Sequence, residues 1–178
     1  MTDGLDPPEA RERALYARFE DLGIAWSTVA HPPVFAVTEA RALRGCITGC
    51  HTKNLFLKDR KEGLWLVVLR EELALDLTAL ARQLSAPRFS FGPSGLMAEL
   101  LGVPPGAVTP FALMNDVRAR VRAVLDAKML SEELLNFHPL RNDRTTTIST
   151  ADLLKFLEAC GHAPIIAALP EREGSASS

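Results

Sequence analysis

Two apolar runs, residues 53–58 and 64–69, are separated only by Asp59-Arg60-Lys61-Glu62-Gly63, and no other feature limits the possible folds as much. Short hydrophobic stretches carrying β-branched and aromatic residues, joined by a polar segment ending in glycine, pair as a β-hairpin. Surface this apolar has to be removed from water, so the hairpin belongs in a core.

The flanking pattern mixes helices with further strands. Leu15, Phe19 and Leu22 recur at helical spacing after Pro7-Pro8, and Gly23 stands where a helix end favours a left-handed residue. Residues 24–30 predict a strand that stops at His31-Pro32-Pro33, because proline has no N–H to give to a ladder. Thr38 predicts the cap of a short helix through Arg44. Short helices at 77–84 and 95–101 enclose a strand at 88–91. Alternation in 117–125 sets Arg118, Arg120 and Arg122 on one face of a strand, with Ala119, Val121, Ala123 and Leu125 on the other. Strands at 136–138 and 145–148 precede a helix over 151–160, capped by Thr150 and closed by Gly161, and a last strand covers 164–168. Hairpins and helices without a regular β-α-β alternation predict an α+β single domain with a mixed sheet.

A chain of 178 residues suits one domain, here 1–169, followed by a small polar tail, 170–178, expected to fray. Hydrophobic residues at 47% and charged residues at 24% are ordinary for a globular protein. The acidic, proline-containing start and the lack of a membrane-length apolar run predict a cytoplasmic protein without a membrane partner. Cys46, Cys50 and Cys160 are too few for a disulfide scaffold, so free thiols are expected. A net charge of −2 gives no overall attraction to nucleic acid, so such contacts need a local basic surface. Candidates are Arg118, Arg120 and Arg122, or Arg41, Arg44, Lys58, Arg60 and Lys61, although most charge runs are solvated faces.

Three segments are suited to chemistry. Lys53 and Asn54 put a cation and a carboxamide at the mouth of an apolar strand, and Lys53 alternates onto the face of Leu55 and Leu57, where it is partly desolvated if that face is inside. The ordinary alternative is a lysine that snorkels to water. Asn136 and His138 share one side of a strand, ahead of the rigid Pro139, and the histidine can donate, accept or titrate near neutrality. A satisfied histidine is the commoner outcome. In the loop 102–110 the glycines permit close approach and the prolines stiffen the backbone; it can present N–H groups to a substrate or simply connect two elements. Cys46, Cys50 and His51 suit zinc chemically, with Cys160 or His162 as a fourth ligand, but no ligand pair stands at finger spacing, and no metal or other cofactor is expected. Cys50 as a nucleophile with His51 or His138 as base lacks an activating context.

The ordered set His51-Thr52-Lys53-Asn54-Leu55-Phe56-Leu57-Lys58-Asp59, Gly106-Ala107-Val108-Thr109-Pro110, Asn115-Asp116, Asn136-Phe137-His138-Pro139-Leu140 and Thr145-Thr146-Thr147-Ile148-Ser149 resembles the YbaK and prolyl-tRNA synthetase associated editing domains. Within them it is most similar to the free-standing Ala-tRNA(Pro) deacylases called ProXp-ala. The resemblance implies a curved mixed sheet and hydrolysis of the ester between a wrong amino acid and the acceptor end of tRNA(Pro). It implies Lys53, Asn54 and His138 as catalytic residues. Gly106, Ala107, Val108, Thr109, Pro110 and Asn136 would bind substrate. Prolyl-tRNA synthetase is a further candidate partner; DNA is not. Alternatives are a deacylase for Cys-tRNA(Pro) or another small amino acid, a non-catalytic tRNA- or synthetase-binding module, and a thiol or zinc hydrolase built on Cys50.

Overall fold

The computed structural model describes residues 4–33 and 47–174. The expected helix from Thr38 to Arg44, together with Cys46, lies outside the described residues. The hairpin predicted from the two apolar runs is β2 (Cys50–Asp59) against β3 (Leu64–Arg70), in register from Thr52 opposite Arg70 to Lys58 opposite Leu64. Its turn is locked from beneath. The Asp59 carboxylate accepts hydrogen bonds from the backbone N–H groups of Lys61 and Gly63, at 2.8 and 2.9 Å, and from the Trp65 indole at 3.0 Å.

The other strands are β1 (Ser27–Ala30), β4 (Phe89–Phe91), β5 (Val121–Asp126), β6 (Leu134–Phe137), β7 (Arg144–Ser149) and β8 (Ile165–Ala167). They form one open sheet in the order β1-β7-β6-β2-β3-β5-β8, and β4 also pairs with β2. The pairs β2/β6, β3/β5 and β5/β8 are parallel and the rest antiparallel, so the sheet is mixed, as the α+β reading requires.

Strand β3 shows why the sheet can be covered on both faces. Leu64, Leu66 and Val68 enter a large core, and Trp65, Val67 and Leu69 enter a smaller one on the opposite side. The large core is closed by α1 (Pro8–Leu22), α3 (Ser94–Leu101), the 3₁₀ turn Pro110–Asn115 and α4 (Thr150–Ala159). Their Phe19, Leu101, Phe111 and Phe156 meet there. The small core is closed by α2 (Leu77–Gln83) and by Leu73, Leu75 and Leu169. No helix of the described residues is long and apolar enough to cross a membrane.

Three expectations are corrected. The arginine-bearing segment becomes a strand only at Val121. Before it the chain turns, with Ala119 at φ 50° and Asp116 accepting the Val121 N–H at 2.7 Å, so Arg118 and Arg120 are not strand residues. The cap of α4 is Ser149, whose hydroxyl accepts from the Asp152 N–H. The Thr150 hydroxyl instead donates to the Glu132 carbonyl. Finally, the tail does not fray at 170: Asp76 N–H donates to the Pro170 carbonyl, Arg172 N–H donates to the Ala74 carbonyl, and Glu171 bridges Leu75.

Gly92 follows β4 and packs closely against the Phe56 ring; a Cβ there would lie 2.4 Å from Phe56 Cδ1. Gly92→Ala is therefore expected to destabilise the fold by about 1–3 kcal/mol through overpacking. A urea unfolding midpoint equal to wild type would contradict this.

Candidate active site

Strand β2 has one continuous edge and one interrupted edge. β3 covers the first. The second is shared by two strands that part company: β6 pairs at Cys50 and His51, and β4 pairs from Leu57 to Asp59. The gap between them is bordered by the Thr52 hydroxyl donating to the Asn136 carbonyl at 2.7 Å and by Gly92 N–H donating to the Phe56 carbonyl at 2.8 Å. Lys53, Asn54 and Leu55 lie inside it, and no described strand pairs with that stretch of edge. The parallel pairing ends at His51 opposite Asn136, and His138 follows β6 at the border of the gap. Crevices where neighbouring strands diverge are favoured places for ligands.

Alternation divides the lysine–asparagine pair between the two faces. Lys53 shares its face with Leu55 and Leu57, as its spacing predicts, and is half-buried. Burial holds its ammonium below the ordinary lysine pKa; Glu71 and Glu72 oppose that shift and Arg172 adds to it. Asn54 points to the side of Phe56 and the large core. Its Oδ1 is buried without a hydrogen-bond partner, as is Nε2 of His51 on the lysine face. Buried polar atoms left unpaired are uncommon, and both sit on the strand that borders the gap.

His138 immediately follows β6. Its Nδ1 is 2.9 Å from the Arg144 carbonyl, which can only accept, so Nδ1 carries the proton and Nε2 of the neutral ring keeps a lone pair. Burial lowers its pKa below 6.5 and nearby His31 lowers it further. The Arg144 hydrogen bond, Glu71 and Asp143 work the other way. The Glu71 carboxylate favours the charged form of both Lys53 and His138.

The His31 ring centre is 6.3 Å from that of His138. Its Nδ1 lies 2.8 Å from the Pro32 carbonyl and its Nε2 is 2.9 Å from the Thr145 hydroxyl. Sequence reasoning treated His31 only as the end of a strand. The signal for more was a histidine fixed by two prolines, but its proximity to His138 is a tertiary fact.

The glycine-to-proline loop begins at Gly102, the left-handed end of α3, and turns back through an Ala107 N–H to Pro104 carbonyl bond. Gly106 has φ 89°, a conformation that favours glycine, and comes within 3.9 Å of the Asn142 amide nitrogen, measured from where a Cβ would stand. Pro104 and Ala107 line a cavity of about 410 Å³ together with Pro33, Arg141, Asn142 and Asp143. Residues 141–143 and the loop through Pro104 and Ala107 therefore face one space, closed by Pro7, Pro8 and Arg11 at the start of α1, and neither Lys53 nor His138 lines it.

Arg141 anchors that connection. It is nine-tenths buried, holds Asp143 through two hydrogen bonds of 2.5 and 2.7 Å, and lies 3.4 Å from Glu9 and 3.7 Å from Glu12. Arg144 reaches Glu12 at 3.0 Å. Such a bidentate, multiply paired guanidinium fixes backbone geometry.

Other site residues named from the sequence are committed to the protein itself. Thr109 and Pro110 are buried, and the Thr109 hydroxyl accepts from the Phe111 N–H, leaving Pro105 and Gly106 as the exposed part of the loop. Asn136 is buried, with its amide donating to the Thr48 carbonyl and accepting from the Thr147 hydroxyl. It holds the segment that leads into β2. Burial pushes the Cys50 thiol up to about 11, so it is uncharged at neutral pH and unlike an activated nucleophile. His162 bonds Asp116 at 3.0 Å in the core. Among the described residues no group of three or more histidine, cysteine, aspartate or glutamate side chains could hold a metal.

The aminoacyl-tRNA editing domain profile matches residues 31–156. The "Prolyl-tRNA synthetase associated domain-containing protein 1" of Danio rerio is 40% identical over 147 residues, covering 82% of this chain and 80% of that protein. The "Prolyl-tRNA editing protein ProX" of Acetoanaerobium sticklandii is 30% identical over 152 residues, covering 85% and 93%. A solved protein assigned provisionally as a trans-editing enzyme for prolyl tRNA synthetase has the same fold, with a TM-score of 0.69 at 20% identity, covering 95% of this chain and 100% of that one. The profile extends from His31, through the β2 hairpin and the His138 segment, into α4, and on that match the chain belongs to the aminoacyl-tRNA editing domain family.

Proposed function

We propose that the protein is a trans-editing deacylase that hydrolyses Ala-tRNA(Pro), with prolyl-tRNA synthetase as the source of the error. The observation that carries this reading is the interrupted edge of β2, where Lys53, Asn54 and Leu55 lie between the departing β6, which leads into His138, and β4. The need for such an enzyme is physical. A synthetase pocket sized for proline cannot sterically exclude alanine, and missing methylenes give only about 1–3 kcal/mol of discrimination each.

In this reading water attacks the ester carbonyl, the carbonyl oxygen takes up negative charge, and the bond to the ribose oxygen breaks as that oxygen regains a proton. The neighbouring ribose hydroxyl places the water. Lys53 holds the terminal phosphate, and its partly dry setting strengthens that attraction. The unpaired Asn54 Oδ1 accepts from a donor on the terminal nucleoside. Backbone N–H groups at Gly106 polarise the carbonyl. Neutral His138, with its free Nε2 lone pair, accepts a hydrogen bond from the α-ammonium of the amino acid, while Asn136 and Arg141 hold the surrounding chain. Catalysis is then chiefly positioning and electrostatics.

The test is amino-acid release from Ala-tRNA(Pro), Cys-tRNA(Pro), Pro-tRNA(Pro) and Ala-tRNA(Ala). Rapid release from the first alone is expected; tight binding of Ala-tRNA(Pro) with no release would replace the deacylase by a binding module. A pH profile checks His138. Its folded pKa is depressed, so it stays neutral and able to accept down through pH 6.5, and kcat/KM should fall only below that. An acid limb centred above 6.5 would remove His138 from this role.

A further inference from the structure

Strand directions gather basic side chains at one end of the sheet. β2 runs into the hairpin turn and β3 leaves it. β5 starts beside β3, Val121 opposite Leu64, and β4 starts beside the end of β2, Phe89 opposite Asp59. The hairpin turn, Arg88 and the 117–120 turn therefore lie at the same end. Arg60, Lys61, Arg88, Arg118, Arg120 and Arg122 are exposed there. The neighbouring acids are largely committed: Glu62 pairs with Lys58 at 2.6 Å, Glu99 lies 3.6 Å from Arg120, and the Asp59 carboxylate is buried on its three donors. The balance at this end is positive although the whole chain is net −2. The Arg122 guanidinium lies 4.8 Å over the Trp65 ring, which orders it.

An exposed aromatic lies between this end and Lys53. Phe91 is 68% exposed and stands opposite Leu57, on the sheet face that Lys53 and Leu55 share. From Lys53 to Arg60 along an extended strand is roughly 23 Å. Cations on a rigid sheet end, then an open aromatic, then a half-buried lysine at the gap form a track with the chemistry of a single strand leading out of a duplex.

We propose that this surface docks the nucleic acid that carries the ester. Phosphates of the double-stranded acceptor stem lie against Arg60, Lys61, Arg88 and the turn bearing Arg118 and Arg120, and a base of the single-stranded 3′ end stacks on Phe91 before the terminal nucleotide reaches Lys53. This rests on the deacylase reading, since it assigns the direction from which the same site is approached.

The experiment compares wild type, the combined variant Arg60→Gln/Lys61→Gln/Arg88→Gln/Arg118→Gln, and Phe91→Ala. Each is tested on full-length aminoacylated tRNA and on a short aminoacylated single-stranded oligonucleotide matching the 3′ end. The altered side chains reach solvent, and unchanged melting curves establish that the variants fold. The combined variant should raise KM for the tRNA about tenfold or more with kcat within about twofold, and flatten the salt dependence of binding by roughly 0.9 log units per log salt for each phosphate that is no longer neutralised. It should leave the short substrate unaffected. Phe91→Ala should raise KM for both substrates. Unchanged tRNA KM and salt slope in the combined variant would overturn the proposal and leave the basic end to an acidic protein partner. If wild type releases no amino acid from either substrate, the deacylase reading fails. Docking is then decided by fluorescence anisotropy with an uncharged acceptor-stem duplex carrying the 3′ single strand, on which the combined variant must lose affinity for the proposal to stand.

Discussion

Lys53→Ala is expected to lower kcat/KM for deacylation of the mischarged tRNA by about 10²–10³-fold, the effect of removing one aligned charged donor from a preorganised site, equivalent to about 2.7–4 kcal/mol of barrier. The fold should survive. Lys53 is half-buried on a stretch of edge without a described strand neighbour, and Leu69 opposite it is fully buried. Matching melting curves with kcat/KM lowered to that extent would assign the ammonium to the site. Lys53→Arg keeps the charge but changes a compact ammonium to a planar fork, so recovery should be partial. Turnover equal to wild type in a folded Lys53→Ala protein would remove Lys53 from the site and with it the reading of the β2 gap.

The largest expected loss of stability belongs to Asp59→Ala, at about 3–4 kcal/mol. The carboxylate is 6% exposed and accepts three hydrogen bonds, one from the indole of the nearly fully buried Trp65. Its removal leaves those donors unpaired, and hydrogen bonds to charged groups contribute about 1.5–3 kcal/mol each before relaxation. For a chain of this size the melting temperature should drop by about 10 °C. Burial alone would raise the Asp59 pKa, but the hydrogen bonds from Trp65, Gly63 and Lys61, with Arg122 nearby, outweigh it and hold the carboxyl below 3.8. Because the folded value is the lower one, the stabilisation is complete above the unfolded pKa and is lost as the pH falls through the folded one. Wild type should therefore weaken at the acid end relative to Asp59→Ala, with the difference shrinking below about pH 4. A urea midpoint for the variant within about 1 kcal/mol of wild type at pH 7 would show that the turn does not depend on this lock.

Much of this architecture is readable along the chain. The β2–β3 hairpin, α1 with its Gly23 end, the pair β6 and β7, and the last helix all follow from periods of two or 3.6 residues and from local turn chemistry, which act over a few neighbouring positions. Where the local signal and the tertiary environment disagreed, the environment prevailed. The alternation of Arg118, Arg120 and Arg122 suggests a strand from 117, but the Asp116 carboxylate, itself held by His162 across 46 residues of sequence, captures the Val121 N–H and forces a turn first. Ser149 and Thr150 are equally suited to cap α4, and the Glu132 carbonyl takes the threonine.

By itself the sequence determined the mixed α+β class, the hairpin, the faces of its strands and the ordered motif set that marks an editing domain. Only the tertiary structure decided that β6 and β4 leave Lys53, Asn54 and Leu55 without a strand neighbour on one edge among the described residues. It also decided that His31 and Arg141 surround the His138 segment, that Asn136 serves the framework, and that scattered basic residues collect at one sheet end. The reason is that alternation and helical period report which way a side chain points, whereas the identity of its neighbour is set by pairings between segments tens of residues apart.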